Sequence, residues 1–160
     1  MIPPFTEGGL LPPGVHPASW SDVVRTLGQG KARRRLLQRL LPGARAFRRA
    51  GAGGLYLAGS FVTASPHPSD IDVLWDPSST EIPALPRVLR EGAPRERRRQ
   101  KQRFGAEFIR VDTARDGPSF LEFFQTDKRT DEPKGIILLG LDTLPSSPSF
   151  GGRTWAGDAT

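Results

Sequence analysis

The runs Leu55-Tyr56-Leu57-Ala58-Gly59-Ser60 and, after the loop 61–69, Asp70-Ile71-Asp72-Val73-Leu74-Trp75 decide the fold of this 160-residue chain. The first is a short apolar stretch entering a Gly-Ser turn, which reads as a buried strand. The second alternates: Asp70, Asp72 and Leu74 fall on one face and Ile71, Val73 and Trp75 on the other, the period-two signature of another strand. Pro66, His67, Pro68 and Ser69 make the connection a loop. Carboxylates separated by one residue on a strand share a face, with Cβ atoms roughly 6–7 Å apart. Two neighbouring anions on an otherwise apolar strand are costly unless a cation neutralises them, and this spacing can bridge a divalent ion. The Gly59-Ser60 turn offers exposed backbone N–H groups and no side chain at Gly59, so a phosphate can approach closely.

Outward from this core the chain reads as helices and short strands. Ser19 and Asp22 form a capping box before Trp20, Val23, Val24 and Leu27, a short amphipathic helix ended by Gly28. A longer helix is expected from Lys31 to Ala50, with Leu36, Leu37, Leu40, Leu41, Ala44 and Phe47 on one face and a kink or split at Pro42-Gly43. A late-starting helix is expected within Ile82–Glu91, a basic segment over Arg95–Arg103, and a third strand over Ala106–Asp112. Phe120–Gln125 and Gly135–Leu141 are further apolar segments, the latter strand-like, and Trp75, Phe120, Phe123 and Phe124 are expected to fill the core. Residues 1–18 carry too many prolines and glycines for a helix or central strand and read as an extended arm laid on a surface. The expectation is one α/β (α+β) domain over residues 1–142, a small mixed sheet flanked by helices, with 143–160 as a flexible tail.

Composition narrows the chemistry. No run approaches the roughly 18–20 apolar residues of a membrane span. There is no cysteine, which excludes disulfides, thiol nucleophiles and thiolate metal sites, and only two histidines, His16 and His67, both expected at the surface. Any metal must therefore be held by oxygen, which suits Mg²⁺ or Mn²⁺. The start, Met1-Ile2-Pro3-Pro4-Phe5, lacks the basic-then-apolar order of a signal peptide, so a cytoplasmic location is expected. The net charge of +6 permits an anionic partner. Its densest block is Lys31, Arg33, Arg34, Arg35, Arg39, Arg45, Arg48 and Arg49, with no acid among them. That block reads either as a solvated helix face or as a ridge for phosphates; Arg95–Arg103 reads either as an exposed loop or as an acceptor-binding rim. Gly28-Gln29-Gly30-Lys31 lacks the first glycine, the hydroxyl residue and the preceding strand of a phosphate loop.

Strand, Gly59-Ser60, a short loop and Asp70-Ile71-Asp72 within an apolar strand together resemble the signature of the polymerase-beta-like nucleotidyltransferase superfamily. The small size looks like the minimal nucleotidyltransferases of bacterial toxin–antitoxin and defence loci. Leu11–His16, Gly59–Thr63, the strand ending in Trp75-Asp76, Phe120–Gln125 and Pro133–Ile136 are similar to a little-characterised bacterial family of domain-of-unknown-function proteins regarded as nucleotidyltransferase-like.

The resemblance implies a nucleotidyltransferase fold and a metal-dependent transfer of NMP from an NTP to a hydroxyl of RNA, tRNA in particular, or of a protein. It implies that Gly59 and Ser60, with Thr63, hold the nucleotide's phosphates, and that Asp70 and Asp72 bind Mg²⁺ or Mn²⁺. It also implies a third carboxylate from a later strand. Glu107 is preferred because it precedes Phe108-Ile109; Asp112, of opposite parity, is the alternative. Lys134 either touches a nucleotide phosphate or only begins a strand. Two rival roles are a catalytically weak nucleotidyltransferase-like partner in a two-gene system and a basic RNA-binding protein working through its arginine clusters.

Overall fold

A computed structural model describes residues 1–112 and 119–146. Five strands form one mixed open sheet: β1 (Val15–Ala18), β2 (Gly54–Ala58), β3 (Ile71–Trp75), β4 (Ala106–Arg110) and β5 (Ile136–Gly140). Their spatial order is β1-β5-β2-β3-β4. β2 runs antiparallel to both β5 and β3, while β1 pairs parallel to β5 and β4 parallel to β3. The proline-rich arm thus ends as an edge strand, where Pro17 can lack its N–H without breaking a central ladder.

Helices α1 (Trp20–Leu27), α2 (Lys31–Arg49), α3 (Arg87–Arg90) and α4 (Pro94–Phe104) contribute to the main core. Strand parity divides the sheet. Leu55, Leu57, Ile71, Val73, Trp75, Phe108, Ile137 and Leu139 pack into that core. Phe47 of α2 stacks 5.4 Å from Phe108 and lies 5.3 Å from Trp75, centroid to centroid. The opposite face carries a smaller cluster, Ala58, Leu74, Phe124 and Ile136, partly covered by α5 (Phe120–Phe123). Phe120 and Phe123 are only half-buried there, so of the expected core aromatics they fill a rim rather than the interior.

Ser19 caps α1 as expected: its hydroxyl accepts from the Asp22 N–H at 3.0 Å, and the Asp22 carboxylate accepts from the Ser19 N–H at 3.2 Å. Of the expected kink or split in α2, the split does not occur; one helix runs through Pro42. The lost hydrogen bond is offset by the buried stripe Leu36, Leu37, Leu40, Leu41, Ala44 and Phe47. Gly43 is there for close packing, since a Cβ on it would stand 2.8 Å from the Phe108 ring. The basic run at 95–103 is not a loop but α4, with Pro94 in its first turn and Gly105 in the left-handed conformation (φ 63°) closing it. Its signal was hidden because its buried anchors are Phe104 and a polar residue, Gln100, rather than an apolar stripe. Gln100 donates to the Val88 carbonyl at 2.7 Å and accepts from the Phe108 N–H at 2.9 Å, satisfying the outer edge of β4.

The carboxyl-terminal boundary also moves. Thr143 accepts from the Trp20 N–H at 2.8 Å, and Leu144 is buried, so residues 143–146 dock on the domain; 147–160 lie outside the described residues. Among the described residues no helix is long and apolar enough to cross a membrane.

Candidate functional site

The face of the sheet away from the main core carries the carboxylates. β2 ends at Ala58, which pairs with Asp72 of β3, and Asp72 in turn pairs with Glu107 of β4. Asp70 precedes β3 by one residue. Lys101 of α4 ties two of the three together, its ammonium 3.2 Å from the Asp70 carboxylate and 3.3 Å from that of Glu107. Asp72 is left between them. Burial, then the Asp70 and Glu107 charges, push its carboxyl up from the ordinary 3.8 to about 6, with Lys128 and Lys101 opposing. Among the described residues no hydrogen bond or ion pair reaches that carboxylate. Asp112, the alternative third acid, is instead paired with Arg110 at 2.9 Å beyond the end of β4.

The turn after β2 is shaped around Asp72. Gly59 has φ 76° and packs so tightly against the Asp72 carboxylate that any Cβ would collide with it. Gly59–Val62 form a 3₁₀ turn that leaves Ser60 exposed. Thr63 is committed to this turn: its hydroxyl donates to the Ser60 carbonyl at 2.7 Å and accepts from the Ser65 N–H at 3.2 Å. Arg33 fixes the same segment from beneath. Buried over the Phe61 ring, it donates to the carbonyls of Leu27, Phe61, Thr63 and Ser65 at 2.6–3.2 Å.

Above Asp72 opens a cleft of ≈ 630 Å³. One wall is Gly59, Ser60, Thr63 and Asp72; another, Asp127, Lys128, Arg129 and Lys134; Gly8–Leu10 of the arm and Phe123–Phe124 close the ends. Its size is that of a small-molecule site, and its lining sets carboxylate against cations.

Residues 3–140 match a family described as a family of unknown function, DUF6932. The chain belongs to that family. No curated protein and no solved structure matches it. Every residue of the DUF6932 site named above, from Gly8 to Lys134, falls inside the matched span.

In this DUF6932 domain the structure brings together Gly59, Ser60, Thr63, Asp72 and Lys134 in one cleft, sets Glu107 beside Asp72 by strand register, and links Asp70 to Glu107 through Lys101. It leaves Asp112 aside. His67 is exposed, whereas His16 is half-buried with Nε2 2.6 Å from the Pro12 carbonyl oxygen. The basic block of α2 divides between exposed residues, Lys31, Arg35 and Arg49, and arginines that reach backbone carbonyls. Besides Arg33, Arg39 donates to the Lys101 and Gln102 carbonyls, Arg45 to that of Pro145 and Arg48 to that of Leu144.

Sequence reading missed Lys101, Lys128 and Arg129 as members of the site. Lys101 was submerged in a basic run, and Lys128-Arg129 follow the aromatic pair with no motif to mark them. As a metal donor set the carboxylates suit a hard divalent ion, and the uncompensated Asp72 is where a cation would relieve repulsion. As the side chains stand, no group of three acids or histidines among the described residues is gathered closely enough to hold one. Mg²⁺ ordinarily needs only one or two carboxylates when substrate phosphates complete its shell, so the residues fit the ion in chemistry.

Proposed function

We propose that this protein is a nucleotidyltransferase-type domain that binds an NTP in the Gly59/Asp72 cleft and transfers its NMP to a hydroxyl of an RNA, such as tRNA, or of a protein. The observation that carries this reading is the juxtaposition of Asp72, flanked by Asp70 and Glu107 on neighbouring strands, with the Gly59-Ser60 turn on one cleft wall and Lys128, Arg129 and Lys134 on another.

Gly59 and Ser60, which line the cleft, would hold the phosphates, and Arg33 braces that turn through the Phe61 and Thr63 carbonyls. Asp70 and Asp72 would hold Mg²⁺ or Mn²⁺, which when bound lowers the charge at the reacting phosphorus. Glu107 stands where a third acid would accept the proton of the attacking hydroxyl. α4 supplies an acceptor surface: Arg95, Arg98 and Arg103 are exposed on the helix whose Lys101 touches the carboxylates.

The test incubates the purified protein with labelled NTPs, Mg²⁺ or Mn²⁺, and total RNA or cell extract. Transfer of label by the wild type and its loss in Asp72→Asn, with folding intact by circular dichroism, supports the reading. Label transfer that survives both Asp70→Asn and Asp72→Asn removes these carboxylates from the chemistry.

The Lys101 ion pairs favour a second reading, a nucleotide-binding partner with little catalysis, because they hold Asp70 and Glu107 away from other work. Calorimetric NTP binding without transfer would select it.

A further inference from the structure

Lys134 is a charge without a local explanation. It is only 8% exposed and lines the cleft. Among the described residues no hydrogen bond or ion pair reaches its ammonium. Burial pulls its pKa below that of an ordinary lysine, against the opposing influence of Asp127 and Asp72. Lysines usually bury the stem and keep the ammonium in water, and here the stem is buried while the ammonium opens into the cleft. This one is restrained at its backbone. Its N–H donates to the Gln125 carbonyl at 2.9 Å, the next N–H, of Gly135, donates to that of Leu11 at 3.0 Å, and Thr126 bridges Pro133 on the other side. The main chain cannot carry the side chain outward without breaking those links.

We propose that Lys134 anchors a terminal phosphate of a polyphosphate ligand, and does so independently of any metal ion. The proposal rests on the nucleotide reading for the remainder of the ligand, but the anchor itself follows from the cleft. A phosphate oxygen supplies the acceptor that the ammonium lacks, at charge-assisted strength. Lys128 and Arg129 extend the same cationic wall, so successive phosphates find charge beside the first. Asp72 repels a bare anion, which favours a phosphate at Lys134 and leaves the remainder of the ligand toward Ser60. The ≈ 630 Å³ of space admits far more than one phosphate.

The experiment is calorimetry on the full chain in EDTA, with inorganic tripolyphosphate, ATP and orthophosphate as separate probes. Wild type is expected to bind tripolyphosphate and ATP in comparable fashion and orthophosphate much more weakly. Lys134→Met keeps the buried aliphatic stem and should weaken tripolyphosphate by about 10- to 100-fold. Its urea midpoint should stay close to that of the wild type, because the ammonium holds no partner among the described residues. Lys134→Arg, which restores a donor, should recover part of the affinity. Equal tripolyphosphate affinity in wild type and Lys134→Met overturns the anchor, as does failure of the wild type to bind it in EDTA; orthophosphate binding as tight as tripolyphosphate overturns the polyphosphate assignment. If label transfer depends on Asp72 but proceeds unchanged in Lys134→Met, the transferase reading stands and the anchor falls. If tripolyphosphate binding needs Lys134 while the wild type transfers nothing, the anchor stands and the transferase reading falls.

Discussion

Asp72→Asn should make the ligand-free protein more stable. The Asp72 carboxyl lies between Asp70 and Glu107, is largely desolvated, and among the described residues receives no hydrogen bond, so its pKa rises from 3.8 to about 6. At 1.36 kcal/mol per pH unit, that rise corresponds to about 3 kcal/mol by which ionised Asp72 opposes folding at neutral pH. Below pH 3.8 the carboxyl is protonated in both folded and unfolded chains and opposes nothing. Between 3.8 and about 6 the unfolded chain ionises first and this favourable state is lost; above 6 the opposition is complete and constant. An asparagine has the same shape and no charge, but its amide needs partners, so a gain of about 1–3 kcal/mol is expected at pH 7.5. For a chain of this length, that raises the melting temperature by several degrees, about 2–4 °C per kcal/mol. The assay is thermal and urea unfolding of both proteins in EDTA from pH 4 to 8. The gap should open between pH 4 and 6 and stay level above. A variant no more stable than the wild type at pH 7.5, or a gap of the same size at pH 4, would refute this account of the site.

Two other substitutions probe the surroundings. Arg33→Met removes a buried guanidinium that holds four carbonyls, and should lower stability by about 3 kcal/mol in urea unfolding; Arg33→Lys should rescue little, because one ammonium cannot span Leu27, Phe61, Thr63 and Ser65, and full rescue would contradict the clamp. Lys101→Met should lower the melting temperature in EDTA by about 2–4 °C, from loss of two partly exposed ion pairs worth about 1 kcal/mol together, while tightening Mn²⁺ binding measured by electron paramagnetic resonance; Mn²⁺ affinity equal to wild type would show that the ammonium and the ion do not compete.

Much of the scaffold was legible because local rules and tertiary packing agree. The capping box at Ser19 and Asp22, the helical stripe from Leu36 to Phe47 and the alternation of Ile71–Trp75 all appear where their periodicity places them. Misreadings arose where a residue works through tertiary contact. Pro42 reads as a kink or a split, yet the helix is not split because its apolar face is buried. α4 reads as an exposed loop or a binding rim and not as a helix because its central anchor is the polar Gln100. The arginines of α2 read either as a solvated face or as a phosphate ridge, and neither reading foresees that several of them reach carbonyls that only folding brings near, two of them at 144 and 145.

The candidate site divides in the same way. The order Gly59-Ser60, Asp70, Asp72 is a property of the chain alone, and strand parity makes both aspartates face one side wherever the strand sits. Parity also separates Glu107 from Asp112, but which of them meets Asp72 depends on the parallel register of β4 on β3, a long-range pairing that no local pattern encodes. The isolation of Asp72, the Lys101 bridge and the burial of Lys134 likewise exist only in the folded protein. Charge and spacing are written residue by residue, whereas desolvation and the choice of neighbours arise when distant segments pack together.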